Sequence, residues 1–116
     1  MNLGKYGESL AKKYLESKNY VLVAENYRYE RAEVDLIFKD VKEKILVFVE
    51  VKTRRSKTFG EPEESVTESK QEQIIKSAQG FLMGHSEFDE YDKRFDVVSV
   101  YVKGNKKEIN HIINAF

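Results

Sequence analysis

Glu50 and Lys52 stand two positions apart at the end of the most apolar stretch of the chain, Ile45-Leu46-Val47-Phe48-Val49. On a β-strand that spacing puts a carboxylate and an ammonium on one face, with Cα atoms about 7 Å apart at roughly 3.3 Å per residue. The pattern alone says little, because Glu16-Ser17-Lys18, Asp40-Val41-Lys42 and Glu68-Ser69-Lys70 repeat it. Context separates the four. The other three fall in solvated segments, whereas residues 45–49 read as a central strand buried on both faces, where an unpaired charge is costly. Asp35 interrupts the apolar run Val34, Leu36, Ile37, Phe38 in the same way.

The two interruptions belong together if the strands carrying them form a hairpin. A link turning about Lys42 and Glu43 makes opposed residue numbers sum to about 85. That register sets Asp35 opposite Glu50 and Glu33 opposite Lys52, all four on one side. Two carboxylates within about 5 Å raise each other's pKa or recruit a cation. Oxygen-only ligands favour magnesium or manganese over zinc, and a lysine beside such an ion can hold the attacking water or offset charge developing on a phosphate. Phosphodiester hydrolysis needs those parts. The alternative is a buried ion pair of Lys52 with Asp35 or Glu50, but two acids and one base leave a net negative charge that calls for a cation.

The elements that would position these groups follow from periodicity. Leu3, Tyr6, Leu10, Ala11, Tyr14 and Leu15 recur at helical spacing, which predicts a helix over 3–18 with Asn2 as its cap. Strands are expected over 20–24, 32–39 and 45–53. The loop after Thr53 carries Gly60 and Pro62. A second helix runs from near Thr67 through Ile74, Ala78, Phe81 and Leu82, an acidic and mobile connection covers 84–92, a strand returns over 94–102, and 108–116 forms another strand and a tail. The order αβββαββ gives an α/β fold, a mixed sheet flanked by helices.

With 116 residues, one domain with one modest core is expected. Twenty acidic and twenty basic side chains cancel, so any nucleic-acid binding must come from a local patch. The chain has no cysteine, which removes disulfides and thiolate metal sites. No apolar run approaches a membrane span and the N-terminus lacks an apolar signal core, so a soluble, cytoplasmic protein is expected.

Asp35 followed by Glu50-Val51-Lys52 resembles the PD-(D/E)xK nuclease signature, and the whole chain resembles the YraN-like predicted endonucleases. The likeness includes Gly7-Glu8, Ala11 and Tyr14-Leu15, Asn26 with Arg28, residues 33–37 and 47–52 with Arg54, Lys70 with Ala78 and Leu82, residues 94–98, and His111-Ile112 with Asn114-Ala115-Phe116. It implies a restriction-endonuclease-like, Holliday-junction-resolvase-like core, metal ligands at Asp35 and Glu50, a catalytic lysine at Lys52 and an accessory acid at Glu8. Val34 replaces the signature's proline, and Ala32 stands where the family usually has glycine. Neither change removes a ligand. The resulting expectation is a magnesium- or manganese-dependent endonuclease acting on DNA, on a branched, flapped or single-stranded form, aided by a homodimer contact or a partner protein.

Other residues have two readings each. Glu8 flanks the apolar stripe of helix one and either reaches the site or faces water. Arg54, Arg55 and Lys57 contact phosphates or belong to a solvated loop. Arg28, between Tyr27 and Tyr29, joins a surface for an unpaired base or covers a core edge. Lys70 in the first turn of helix two opposes the helix dipole, which a substrate phosphate would relieve. Asp96 is expected to pair with Arg94 or Arg28 in a structural role, and His85 and His111 suggest neither a metal site nor a triad. A non-catalytic binding module would not need the buried acids, and a glycosidase would leave Lys52 unexplained.

Overall fold

In the computed structural model, which describes residues 2–55 and 66–116, α1 spans Leu3–Ser17 and starts where the Asn2 side chain accepts a hydrogen bond from the Lys5 amide. Gly7, Ala11 and Leu15, four residues apart, form its buried stripe. Three antiparallel strands follow, β1 (Val21–Tyr29), β2 (Ala32–Asp40) and β3 (Ile45–Arg54). After the segment outside the described residues comes α2 (Glu68–Met83), capped by Thr67, whose hydroxyl accepts from the Lys70 amide at 3.1 Å. Then come β4 (Asp92–Lys103) and β5 (Lys106–Ile112). The sheet runs in chain order β1-β2-β3-β4-β5, antiparallel throughout except that β3 and β4 are parallel. A parallel pair needs a long crossover, and α2 lies within it.

The helices cover opposite faces. Ala11 and Leu15 of α1 pack on Leu36, Phe38, Val47, Val49, Val98 and Val100. Ile74, Ala78 and Phe81 of α2 pack on Val34, Ile37, Leu46 and Phe48. This mixed α/β sheet between helices is the restriction-endonuclease-like arrangement expected, and β3, with Leu46 to Glu50 all buried, is its two-sided central strand. No helix among the described residues is long and apolar enough to cross a membrane.

Three stretches differ from expectation. β1 continues to Tyr29 instead of stopping at Ala24, because its exposed polar residues belong to an edge strand with only one face to bury. The acidic stretch 84–92 is a packed corner: it contains a 3₁₀ turn, Ser86–Phe88, whose Phe88 enters the α2-side core, and the His85 ring stacks on Phe81 at 3.8 Å. β5 begins at Lys106, ahead of the expected Glu108, and the tail after Ile112 packs back on the sheet, the Ala115 amide donating to the Phe95 carbonyl and Phe116 stacking on Phe95.

Candidate active site

The hairpin register follows the sum expected from the turn. Asp40 pairs with Ile45 and the ladder runs to Leu36 opposite Val49. There it stops. At the next position the Asp35 carboxylate turns into the gap and accepts the Val51 amide at 2.7 Å, a side chain replacing the backbone partner. On its other side Asp35 faces Asn26, which has φ 49, in the left-handed region, while the flanking pairs Glu25–Leu36 and Tyr27–Val34 stay intact. Strand alternation breaks at the same level: Leu36 and Phe38 belong to the α1-side core, Val34 to the α2-side core. Glu33 does not meet Lys52 as the simple register required. Its carboxylate binds Arg28 at 3.1 Å.

Glu50 is the deepest of the acids, 4 % exposed. Its Oε2 lies 3.8 Å from Lys52 Nζ and 3.7 Å from Lys70 Nζ. The α2 lysine therefore closes on Glu50, which supplies the negative partner that its place in the first helical turn asks for. This changes the charge count: two acids now face two lysines. Even so, burial, then the charge of Asp35 and a carboxyl hydrogen bond with it, push the Glu50 carboxyl up to about 8, against the opposing pull of Lys70 and Lys52. Oε1 of Glu50 is buried and no donor reaches it. A proton shared with Asp35, a bound water or a cation would satisfy that atom.

Glu8 arrives from α1, which approaches the end of β3 closely because Gly7 has no side chain; a Cβ there would overlap Thr53. The Glu8 carboxyl is raised by burial and by Asp35, and is hydrogen-bonded by Asn26. Among the described residues no three acidic or histidine side chains converge as a metal cluster. The carboxylates that could hold an ion are thus the pair Asp35 and Glu50, with Glu8 at its flank. A hard divalent ion that retains waters fits two carboxylates and an unsatisfied buried oxygen.

Of the other expected residues, Arg54 closes β3 and Arg55 follows it, exposed, at the same end of the sheet as Lys52. Arg28 is exposed and paired with Glu33. Lys57 lies outside the described residues. Asn26 entered the sequence reading only through the family likeness; a left-handed residue within a strand has no compositional signature beyond Asn itself. Asp96 pairs with Arg94, not Arg28, and also with His111.

Fold and site together define a protein of the restriction-endonuclease-like class, with an acidic pair and a lysine at the break between two central strands. The sequence profile described as uncharacterised protein family UPF0102 matches residues 7–100, and the chain belongs to that family. Its relatives include UPF0102 proteins of Syntrophomonas wolfei, 46% identical with 98% of this chain and 96% of the relative covered, and of Caldicellulosiruptor bescii, 44% identical over the full length of both. A UPF0102 protein of Caldanaerobacter subterraneus is 41% identical, covering 98% of this chain and 93% of its own.

Proposed function

We propose that the protein is a magnesium- or manganese-dependent endonuclease that hydrolyses DNA phosphodiester bonds, with a branched, flapped or single-stranded substrate. The observation that carries this reading is the buried, donorless Oε1 of Glu50 beside Asp35, with Lys52 within 4 Å of the same carboxylate. Bound between Asp35 and Glu50, the ion would polarise a phosphoryl oxygen and neutralise charge on the phosphate. Asp35 is held for that task by the Val51 amide, which fixes its orientation. Lys52, with 26% of its side chain exposed, reaches from the buried acid to solvent. It orients the attacking water and offsets charge on the phosphate. Glu8 at the flank is placed to accept a proton from that water or to hold it through a hydrogen bond, and Lys70 supplies a second cation for the phosphate.

A second reading has one observation in its favour: the two acids and two lysines balance, as they would in a binding module that kept the nuclease fold. Cleavage of labelled duplex, single-stranded, flapped and four-way DNA separates the two. With manganese or magnesium the protein cuts at least one substrate, EDTA abolishes cutting, and Glu50→Ala and Lys52→Ala each lower the rate by about 100-fold or more. Equal cutting by the variants, or none by the parent protein, leaves the binding module.

A further inference from the structure

The parallel pairing of β3 and β4 brings a second feature to the end of the sheet that holds Lys52. Lys52 pairs with Ser99 and Arg54 with Tyr101, so β4 runs past the site to Lys103, where Gly104 (φ 59) and Asn105 form a two-residue turn into β5. Lys103 and Lys106 are direct cross-strand partners across that turn. Both are exposed, and the acid on their face is Glu108, opposite Tyr101 and two residues from Lys106. Like charges set directly opposite destabilise a hairpin. Two lysines against the one acid Glu108 leave a local positive charge on this face of the tip, which suits an anion from outside.

Face and distance agree with that need. Val98, Val100 and Val102 point into the α1-side core while Phe95 belongs to the α2 side. Alternation therefore puts Lys103, and Lys106 opposite it, on the face that carries Glu50 and Lys52. α2 packs on β1 and β2 and barely on β3, so no described helix covers this half of the face. From the level of Ser99 to Lys103 is about 13 Å at roughly 3.3 Å per residue, or about four base-pair steps of 3.4 Å.

We propose that the β4–β5 tip, through Lys103 and Lys106, is a phosphate-contact surface for duplex DNA, gripping the arm of the substrate about four base pairs from the bond at Lys52. The placement of that bond rests on the nuclease reading; the grip itself does not. Lys107 is the internal control. It points to the other face, 5.5 Å from the centre of the Tyr6 ring, and takes no part.

The test is the salt dependence of binding to a labelled duplex, by fluorescence anisotropy in EDTA so that no cleavage enters. In Lys103→Gln/Lys106→Gln the slope of log K against log salt becomes shallower by about 1.8, two contacts at about 0.9 each, so the parent protein's advantage shrinks roughly 12-fold from about 50 to 200 mM salt. Lys107→Gln keeps the parent slope. The double variant melts no lower than the parent, because it loses a like-charge pair. An unchanged slope, or no duplex binding by the parent, overturns the proposal. So does self-association of the double variant at unchanged slope, which would make the lysines guards of the β5 edge. Binding with the expected slope and no cleavage sinks the nuclease reading alone; cleavage with an unchanged slope sinks the tip alone.

Discussion

Glu50 buries a carboxylate at the end of a five-residue apolar run, and Asp35 interrupts the neighbouring strand in the same way. Their proximity followed from the length of one turn. Lys70 was legible as a cation in an unfavourable helical position but not as a partner of Glu50, since the packing of α2 across a long crossover cannot be counted out from strand periodicity. The raised carboxyl of Glu50 gives the pair a pH dependence whose sign is fixed. Its value of about 8 lies above the ordinary 4.5, so the folded chain keeps a proton that the unfolded chain has released. That contribution to stability is full below 4.5 and is lost as pH rises through 8. A divalent ion must displace the same proton. Manganese affinity therefore tightens by about tenfold per pH unit below about 8 and levels off above it, with one proton released per ion. Titration calorimetry in buffers of different ionisation heat reads both quantities. Affinity that is flat between pH 6 and pH 8 would mean that the ion does not bind at Glu50.

At the scale of elements, the strands around the site were foreseeable and the defect between them was not. Periodicity located β2 and β3 nearly to the residue because both are buried, and alternation or continuous apolarity is what burial writes into a sequence. β1 was cut short at Ala24 since an edge strand writes only half of that signal. The break at Asn26 is what allows Asp35 to leave the ladder and Val34 to change faces, so a local backbone conformation on β1 shapes the site on β2. In an ordinary strand glycine is the poorer choice than alanine. At a residue with φ 49 the order reverses, because an alanine Cβ costs about 1 to 2 kcal/mol in the left-handed region. Asn26→Ala is therefore less stable than Asn26→Gly by about 1 kcal/mol, although both lose the hydrogen bond to Glu8. Urea unfolding of the two variants decides it. Alanine equal to or better than glycine would show that the strand runs straight at Asn26.

At the scale of the whole molecule, the residue that closes the fold is Asp96. It is wholly buried on β4, and its carboxylate accepts from Arg94 Nε and a terminal nitrogen at 2.9 Å each, and from the Asn114 amide at 3.0 Å, with His111 Nε2 at 2.7 Å. Arg94 also donates to the Tyr20 hydroxyl just before β1. One carboxylate thus joins the chain's return, the β5 edge and the approach to β1, and its neighbour Val97 is the β4 partner of Glu50. The sequence offered Arg94 or Arg28 as its partner but not His111, because that contact depends on the β4–β5 register, which sets His111 opposite Val98. Burial alone would raise the Asp96 carboxyl; the hydrogen bonds from His111, Arg94 and Asn114 outweigh it and hold the carboxyl below the usual 3.8. A depressed carboxylate stabilises the fold above its unfolded value and loses that contribution as pH falls through the folded one. Asp96→Asn is therefore less stable than the parent by about 3 to 5 kcal/mol at neutral pH, the range for breaking a buried ion pair. The gap narrows in acid, where the parent loses its advantage and the variant has no carboxylate to protonate. Denaturant unfolding at a series of pH values from neutral down to below 3.8 measures the narrowing. A gap that is constant with pH would assign the loss to side-chain shape, and no gap at neutral pH would show that the fold closes without this cluster.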